Sequence, residues 1–147
     1  MTTVQSIMRA AVVHISVRDT METAAQQMRR FEVGALPICD GEGRPVGIVT
    51  DRDIVVDVVG QGADPKTTTA GELAQGADNL HTVELDTDID DAVVLMEQRQ
   101  IRRLPVTDRG VLVGIITEAD LSRNLSEDTV GEFVVAVCSA DLPAQTT

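Results

Sequence analysis

Aromatic residues are almost missing from this 147-residue chain. It has no Trp and no Tyr, and Phe31 and Phe133 are its only phenylalanines. The core must therefore be aliphatic, and no aromatic ring stands beside either candidate motif to stack on a base. Basic residues are scarce too: 12 Lys and Arg against 24 Asp and Glu, a formal net charge of −12. That balance excludes a nucleic-acid binder of the backbone-tracking kind, and it disfavours an anionic membrane surface. No apolar run approaches membrane-spanning length. The opening Met1-Thr2-Thr3-Val4-Gln5-Ser6 lacks the basic start and apolar stretch of a secretory signal, so a cytoplasmic location is the expectation. Cysteine and histidine number two each, Cys39 and Cys138, His14 and His81, with no Cys-x-x-Cys, and no metal site is expected. Gly-x-Ser-x-Gly, His-Glu-x-x-His and Gly-x-x-x-x-Gly-Lys are all absent, which argues against catalysis.

What the chain does have is an internal repeat. Gly47-Ile48-Val49-Thr50-Asp51-Arg52-Asp53 returns as Gly114-Ile115-Ile116-Thr117-Glu118-Ala119-Asp120. Met28 and Pro37 match Met96 and Pro105 at an offset of 68, whereas Gly47, Thr50 and Asp53 match at 67. The missing residue falls in a turn, where Asp40 to Arg44 shortens to Asp108 to Val111, and turns tolerate such changes. In each copy two β-branched residues end a strand, and the threonine caps the helix that follows. The start of that helix offers free N–H groups to an anion such as phosphate. The aspartate three residues on shares its face and suits the paired hydroxyls of a sugar. The competing reading is a plain helix cap with an acid favoured by the helix dipole.

Around these motifs the pattern predicts a short arm over Val4–Met8, a strand over 11–17 and a helix from Asp19 or Thr20 to Phe31, ended by Gly34. Strands over 35–39 and 45–49 precede a helix over 51–59. After a breaker-rich linker and a short segment over 70–74 the cycle repeats: strand 80–85, helix 88–100, strands 103–106 and 111–116, helix 118–125. A tail helix is expected to start at a capping box formed by Thr129 and Glu132, with Val130, Phe133, Val134 and Val137 on one face.

This order and the paired Gly-x-x-Thr-[Asp/Glu]-x-Asp runs, Leu-Pro strand starts (Leu36-Pro37, Leu104-Pro105) and Ala-x-x-x-Met helices resemble the CBS domain, named for cystathionine β-synthase. Two copies make a Bateman module. The runs Gly34 to Cys39, Thr50 to Asp53 and Ala136 to Ser139 are also similar to the stand-alone CBS-pair hypoxic response proteins of actinobacteria. The resemblance implies an α/β (α+β) fold of two β-α-β-β-α repeats packed by pseudo-two-fold symmetry, with an N-terminal arm and a C-terminal helical tail. The corresponding boundaries are residues 1–62, a linker over 63–72, a second repeat over 73–126, and a tail over 127–147. It also implies a cleft between the repeats for an adenine nucleotide or related ligand: AMP, ADP, ATP or S-adenosylmethionine, with no cofactor required. Carried over residue by residue, Asp53 and Asp120 hold ribose, and Thr50 and Thr117 touch phosphate or ribose. Ala35, Pro37, Arg103 and Pro105 meet the base, while Val13 and His14 line the pocket. A homodimer through helices 51–59 and 118–125 is implied as well.

The two copies depart from each other. Arg52 faces Ala119 at equivalent positions, and Arg102 and Arg103 stand where the first copy has Gly34 and Ala35. The expected function is a non-catalytic regulatory or sensor module acting on another protein chain. The alternative is a ligand-free dimeric stress-response scaffold or adaptor. For Cys39 and Cys138, free thiols are the default of a reducing compartment, and a disulfide within or between chains is the alternative.

Overall fold

A computed structural model of the protein describes residues 2–10, 13–74 and 80–138. Part of the strand expected over 11–17, and the end of the tail expected over 127–147, lie outside them. The elements run in chain order as a 3₁₀ turn Val4–Ser6, β1 Arg9–Ala10, β2 Ile15–Ser16, α1 Met21–Phe31, β3 Ala35–Cys39 and β4 Pro45–Thr50. Then come α2 Asp51–Asp53, prolonged as a π-helix Ile54–Val59, α3 Ala70–Ala74, β5 Val83–Glu84 and α4 Ile89–Arg99. β6 Arg103–Asp108, β7 Val111–Thr117, α5 Glu118–Asn124 and α6 Glu127–Cys138 complete the chain. The mixed α/β class and the repeated strand–helix–strand–strand–helix order agree with the sequence.

The residues fall into two compact units, each with its own aliphatic core. One comprises the described residues of Val12–Leu80 and Gly110–Leu112. Its sheet has the order β2-β3-β4, with β2 parallel and β4 antiparallel to β3. Met21, Ala24 and Met28 from α1 pack with Leu36, Ile38, Val49, Ile54, Val58 and Ala70. The other unit comprises the described residues of Met1–Ala11, His81–Arg109 and Val113–Thr147. Its sheet runs β1-β7-β6-β5, and its core joins Val4, Ile89, Val93, Met96, Leu104, Ile116, Leu121, Phe133 and Val137.

The N-terminal arm therefore packs with the second repeat, although in sequence it adjoins the first. Backbone groups stitch it there: Val4 N–H donates to Thr87 O at 2.8 Å and Gln5 N–H to Leu85 O at 3.0 Å. The segment before the second repeat does the same to the first, with Ala70 N–H on Asp19 O and Gly71 N–H on Val17 O, both at 2.8 Å. These stitches explain the glycine that opens each motif. A Cβ at Gly47 would meet Ala74 Cβ at 3.2 Å, and one at Gly114 would meet Met8 Sδ at 2.5 Å and Arg9 O at 3.0 Å. Each glycine leaves room for an arm to lie against its strand.

Three local expectations are corrected. Helix α1 ends at Glu32, which takes the left-handed conformation at φ 53°, rather than at Gly34, and Gln100 ends α4 likewise at φ 54°. The tail helix begins earlier than the Thr129 box: Ser126 Oγ accepts the Thr129 N–H at 3.3 Å, so the serine is the cap. Residues 54–59 are wound as a π-helix, shown by Gly60 N–H reaching back five residues to Val55 O at 2.7 Å.

Candidate functional site

Both motifs fold as the pattern predicts, strand end into helix start. Thr50 Oγ1 accepts the Asp53 N–H at 3.1 Å while Asp53 Oδ2 accepts the Thr50 N–H at 2.9 Å, closing a reciprocal capping box. Thr117 and Asp120 make the same box, at 3.4 and 2.9 Å. So the bland reading of threonine and aspartate as caps is correct for both copies. What differs is the rest of each carboxylate.

Asp53 is half-buried, and among the described residues its Oδ1 has no hydrogen-bond partner. Asp120 is 1% exposed and fully engaged. Its Oδ2 takes both the N–H and the hydroxyl of Thr117, each at 2.9 Å. Its Oδ1 takes Arg9 Nε at 3.2 Å and also pairs with Arg123 Nη2. The two guanidinium groups remain more than half exposed, so only the carboxylate is withdrawn from water. The sequence did not bring Arg9 or Arg123 to notice, because their meeting at Asp120 depends on where the arm lands.

The remaining candidates lie near their own copy's motif. Ala35 and Pro37 stand on β3, where Ala35 pairs in register with Thr50 and Pro37 is buried. Val13 packs against the same core, whereas His14 is exposed and already engaged. Arg52 points outward at the start of α2. Arg103 and Pro105 stand on β6, the arginine half-buried and the proline buried. A depression of ≈ 450 Å³ opens in this second unit, lined by Arg102, Arg103, Thr117, Glu118, Ala119 and Ser122 and walled by Val130 and Val134 of α6. Arg102 also reaches Cys138 Sγ at 3.5 Å. The tail helix thus contributes to a surface that the repeat alone does not predict.

Both cysteines are free, and the intrachain disulfide considered from the sequence is not formed. Cys39 is buried in β3, while Cys138 is exposed at the end of α6. Burial pushes the Cys39 thiol up, and the neighbouring Asp40 charge adds to this. A raised folded value means that the protonated thiol favours the native state. That contribution is whole below the unfolded thiol pKa and is lost as pH rises through the folded one. Alkylation of the native protein without reductant is expected to label Cys138 quickly and Cys39 only on unfolding. If neither thiol reacted even in denaturant, the cysteines would be cross-linked instead.

The implied dimer contact is also narrowed. The π-helix exposes Val55, Val56 and Val59 at 62, 47 and 61%. The helix over 118–125 shows no matching apolar face: Leu121 is buried under α6, and Ala119, Ser122, Arg123 and Asn124 are what it exposes.

The model of the CBS domain matches residues 4–60 and again residues 70–127. The chain belongs to the CBS-domain family. As a CBS pair it is 45% identical over 139 residues to hypoxic response protein 1 of Mycobacterium tuberculosis, covering 95% of this chain and 96% of that one. The crystal structure of hypoxic response protein I with two coordinated zinc ions superposes with a TM-score of 0.78 at 44% identity, covering 85% of this chain and all of that one. Two further CBS pairs were solved with adenosine compounds. CBSX2 in complex with AMP is 28% identical with a TM-score of 0.70, covering 84% of this chain and 95% of that one. The pair of protein MJ0100 with 5′-methylthioadenosine and S-adenosyl-L-methionine is 27% identical at 0.69, covering 84% and 94%. No helix among the described residues is long and apolar enough to cross a membrane.

Proposed function

We propose that this CBS pair is a non-catalytic regulatory module that binds an adenine nucleotide or a related adenosine ligand and passes the binding event to another protein. The observation that carries the reading is Asp53. It is a half-buried carboxylate at the start of a helix, held in place by the Thr50 N–H, and among the described residues its second oxygen has no hydrogen-bond partner. A vicinal diol donating to that carboxylate is strongly oriented, because one partner is already fixed and charged. The adenosine complexes of CBSX2 and MJ0100 support the ligand class. A switch further requires that the ligand favour one state of the module over another.

A second reading is favoured by a separate observation. The exposed valines Val55, Val56 and Val59 suit a ligand-free homodimeric scaffold whose stability comes from self-association. Hypoxic response protein I was solved with two coordinated zinc ions; among the described residues of this chain no three His, Cys, Asp or Glu side chains are gathered to hold a metal.

The test is thermal unfolding with AMP, ADP, ATP or S-adenosylmethionine added singly. A ligand at 100 times its dissociation constant stabilises by about 2.7 kcal/mol and raises the melting temperature. No shift with any of the four contradicts the nucleotide reading and leaves the scaffold.

A further inference from the structure

We infer that the two motif aspartates have diverged in role: Asp53 is the single ribose-reading carboxylate of the chain, and Asp120 is a structural anchor closed to ligand. The first half rests on the nucleotide reading above. The second half stands on the geometry of Asp120 alone.

An ionised carboxylate offers about four lone-pair directions. Around Asp120 all four are taken, by the Thr117 N–H, the Thr117 hydroxyl, Arg9 and Arg123. A ribose diol needs two of them. To enter, it would have to displace a guanidinium from a buried anion and supply neutral hydroxyls in exchange, a weaker pairing than the charged one it breaks. Among the described residues Asp53 carries only the Thr50 N–H, so a diol meets no competitor from them. The difference is written in the sequence at positions outside the motif. Arg123 corresponds to Val56 at the repeat offset of 67, and the stretch Gln75 to Asn79 that follows the second arm holds no basic residue where the first arm holds Arg9. At these positions the first copy lacks the basic residues that close the second.

The cage has its own purpose. Arg9 belongs to β1, which among the described residues pairs with β7 through Arg9↔Ile115 and Ala10↔Gly114. Linking Arg9 to Asp120 fastens this short edge strand to the first turn of α5. The chain should then bind one adenosine ligand per polypeptide, not two.

The experiment uses the full-length protein and Asp53→Asn, Asp120→Asn and Arg9→Gln variants. Equilibrium dialysis against AMP, and separately against S-adenosylmethionine, gives the stoichiometry. Melting curves without ligand give the structural role. The inference expects one ligand per chain, affinity lost at least about tenfold in Asp53→Asn, and affinity kept in Asp120→Asn. It also expects Asp120→Asn and Arg9→Gln each to lower the melting temperature more than Asp53→Asn does. Two ligands per chain, or binding lost in folded Asp120→Asn and kept in Asp53→Asn, would overturn it. If neither compound binds at all, the nucleotide reading fails and the single-site half falls with it. The melting curves still decide the anchor: equal stability of the Asp53 and Asp120 variants would overturn that half as well. Arg9→Gln keeps the test alive if Asp120→Asn does not fold, because Arg9 is more than half exposed.

Discussion

Truncating Phe133 to alanine is expected to lower the unfolding free energy by about 3–5 kcal/mol. The side chain is the largest of those fully buried, at 0% exposure, in a core otherwise made of aliphatic residues. Loss of the ring removes its transfer free energy and leaves a cavity that Val4, Met96, Leu104 and Leu121 have limited freedom to fill. The measurement is urea unfolding, with the midpoint moved down and the slope unchanged. Val135→Ala, two residues away and 71% exposed, is the control and should stay within about 0.5 kcal/mol. A small effect at Phe133 would mean that α6 is an appendage. The expected loss would establish it as part of the second unit's core, beyond the repeat that the family pattern describes.

The second large effect is at Asp120. Replacing it with alanine removes a reciprocal helix cap, worth about 1 kcal/mol, and charge-assisted hydrogen bonds to Arg9 and Arg123, worth about 1.5–3 kcal/mol. The arginines relax into water, since both are more than half exposed, so no buried charge is stranded. A net loss of about 2–3 kcal/mol is expected by the same denaturant measurement. Asp53→Ala loses the equivalent cap alone and should cost about 1 kcal/mol. Equal losses at the two positions would show that the arginines add nothing.

Much of this was legible in the sequence because local chemistry repeats. Thr50 and Thr117 were read as caps from a strand end followed by acids, and both close capping boxes. Helical spacing puts Met21, Ala24, Ala25, Met28 and Phe31 on the inward face; Met21, Ala24 and Met28 are buried, whereas Ala25 and Phe31 are exposed. Where structure and pattern differ, a nearer residue acts first. The usual preference for glycine puts the stop of α1 at Gly34, yet Glu32 adopts the left-handed turn before it. The tail cap is Ser126 because its hydroxyl takes the Thr129 N–H, so the helix is already under way where the Thr129 box would begin. The cage around Asp120 was invisible for a different reason. It joins residues 9, 120 and 123, and which repeat the arm packs against is decided by long-range packing. Position 119, an alanine against Arg52, pointed to unequal copies, but the residues that make them unequal lay elsewhere.

The most direct test of the central claim, a CBS pair that reads its ligand through Asp53, is an amide NMR titration of the full chain with AMP. The account predicts saturable shifts at the Thr50, Asp51, Arg52 and Asp53 amides that vanish in Asp53→Asn, with the Thr117-to-Asp120 amides unmoved by direct contact. Shifts centred on Thr117 and Asp120, or none anywhere at millimolar AMP, would contradict it.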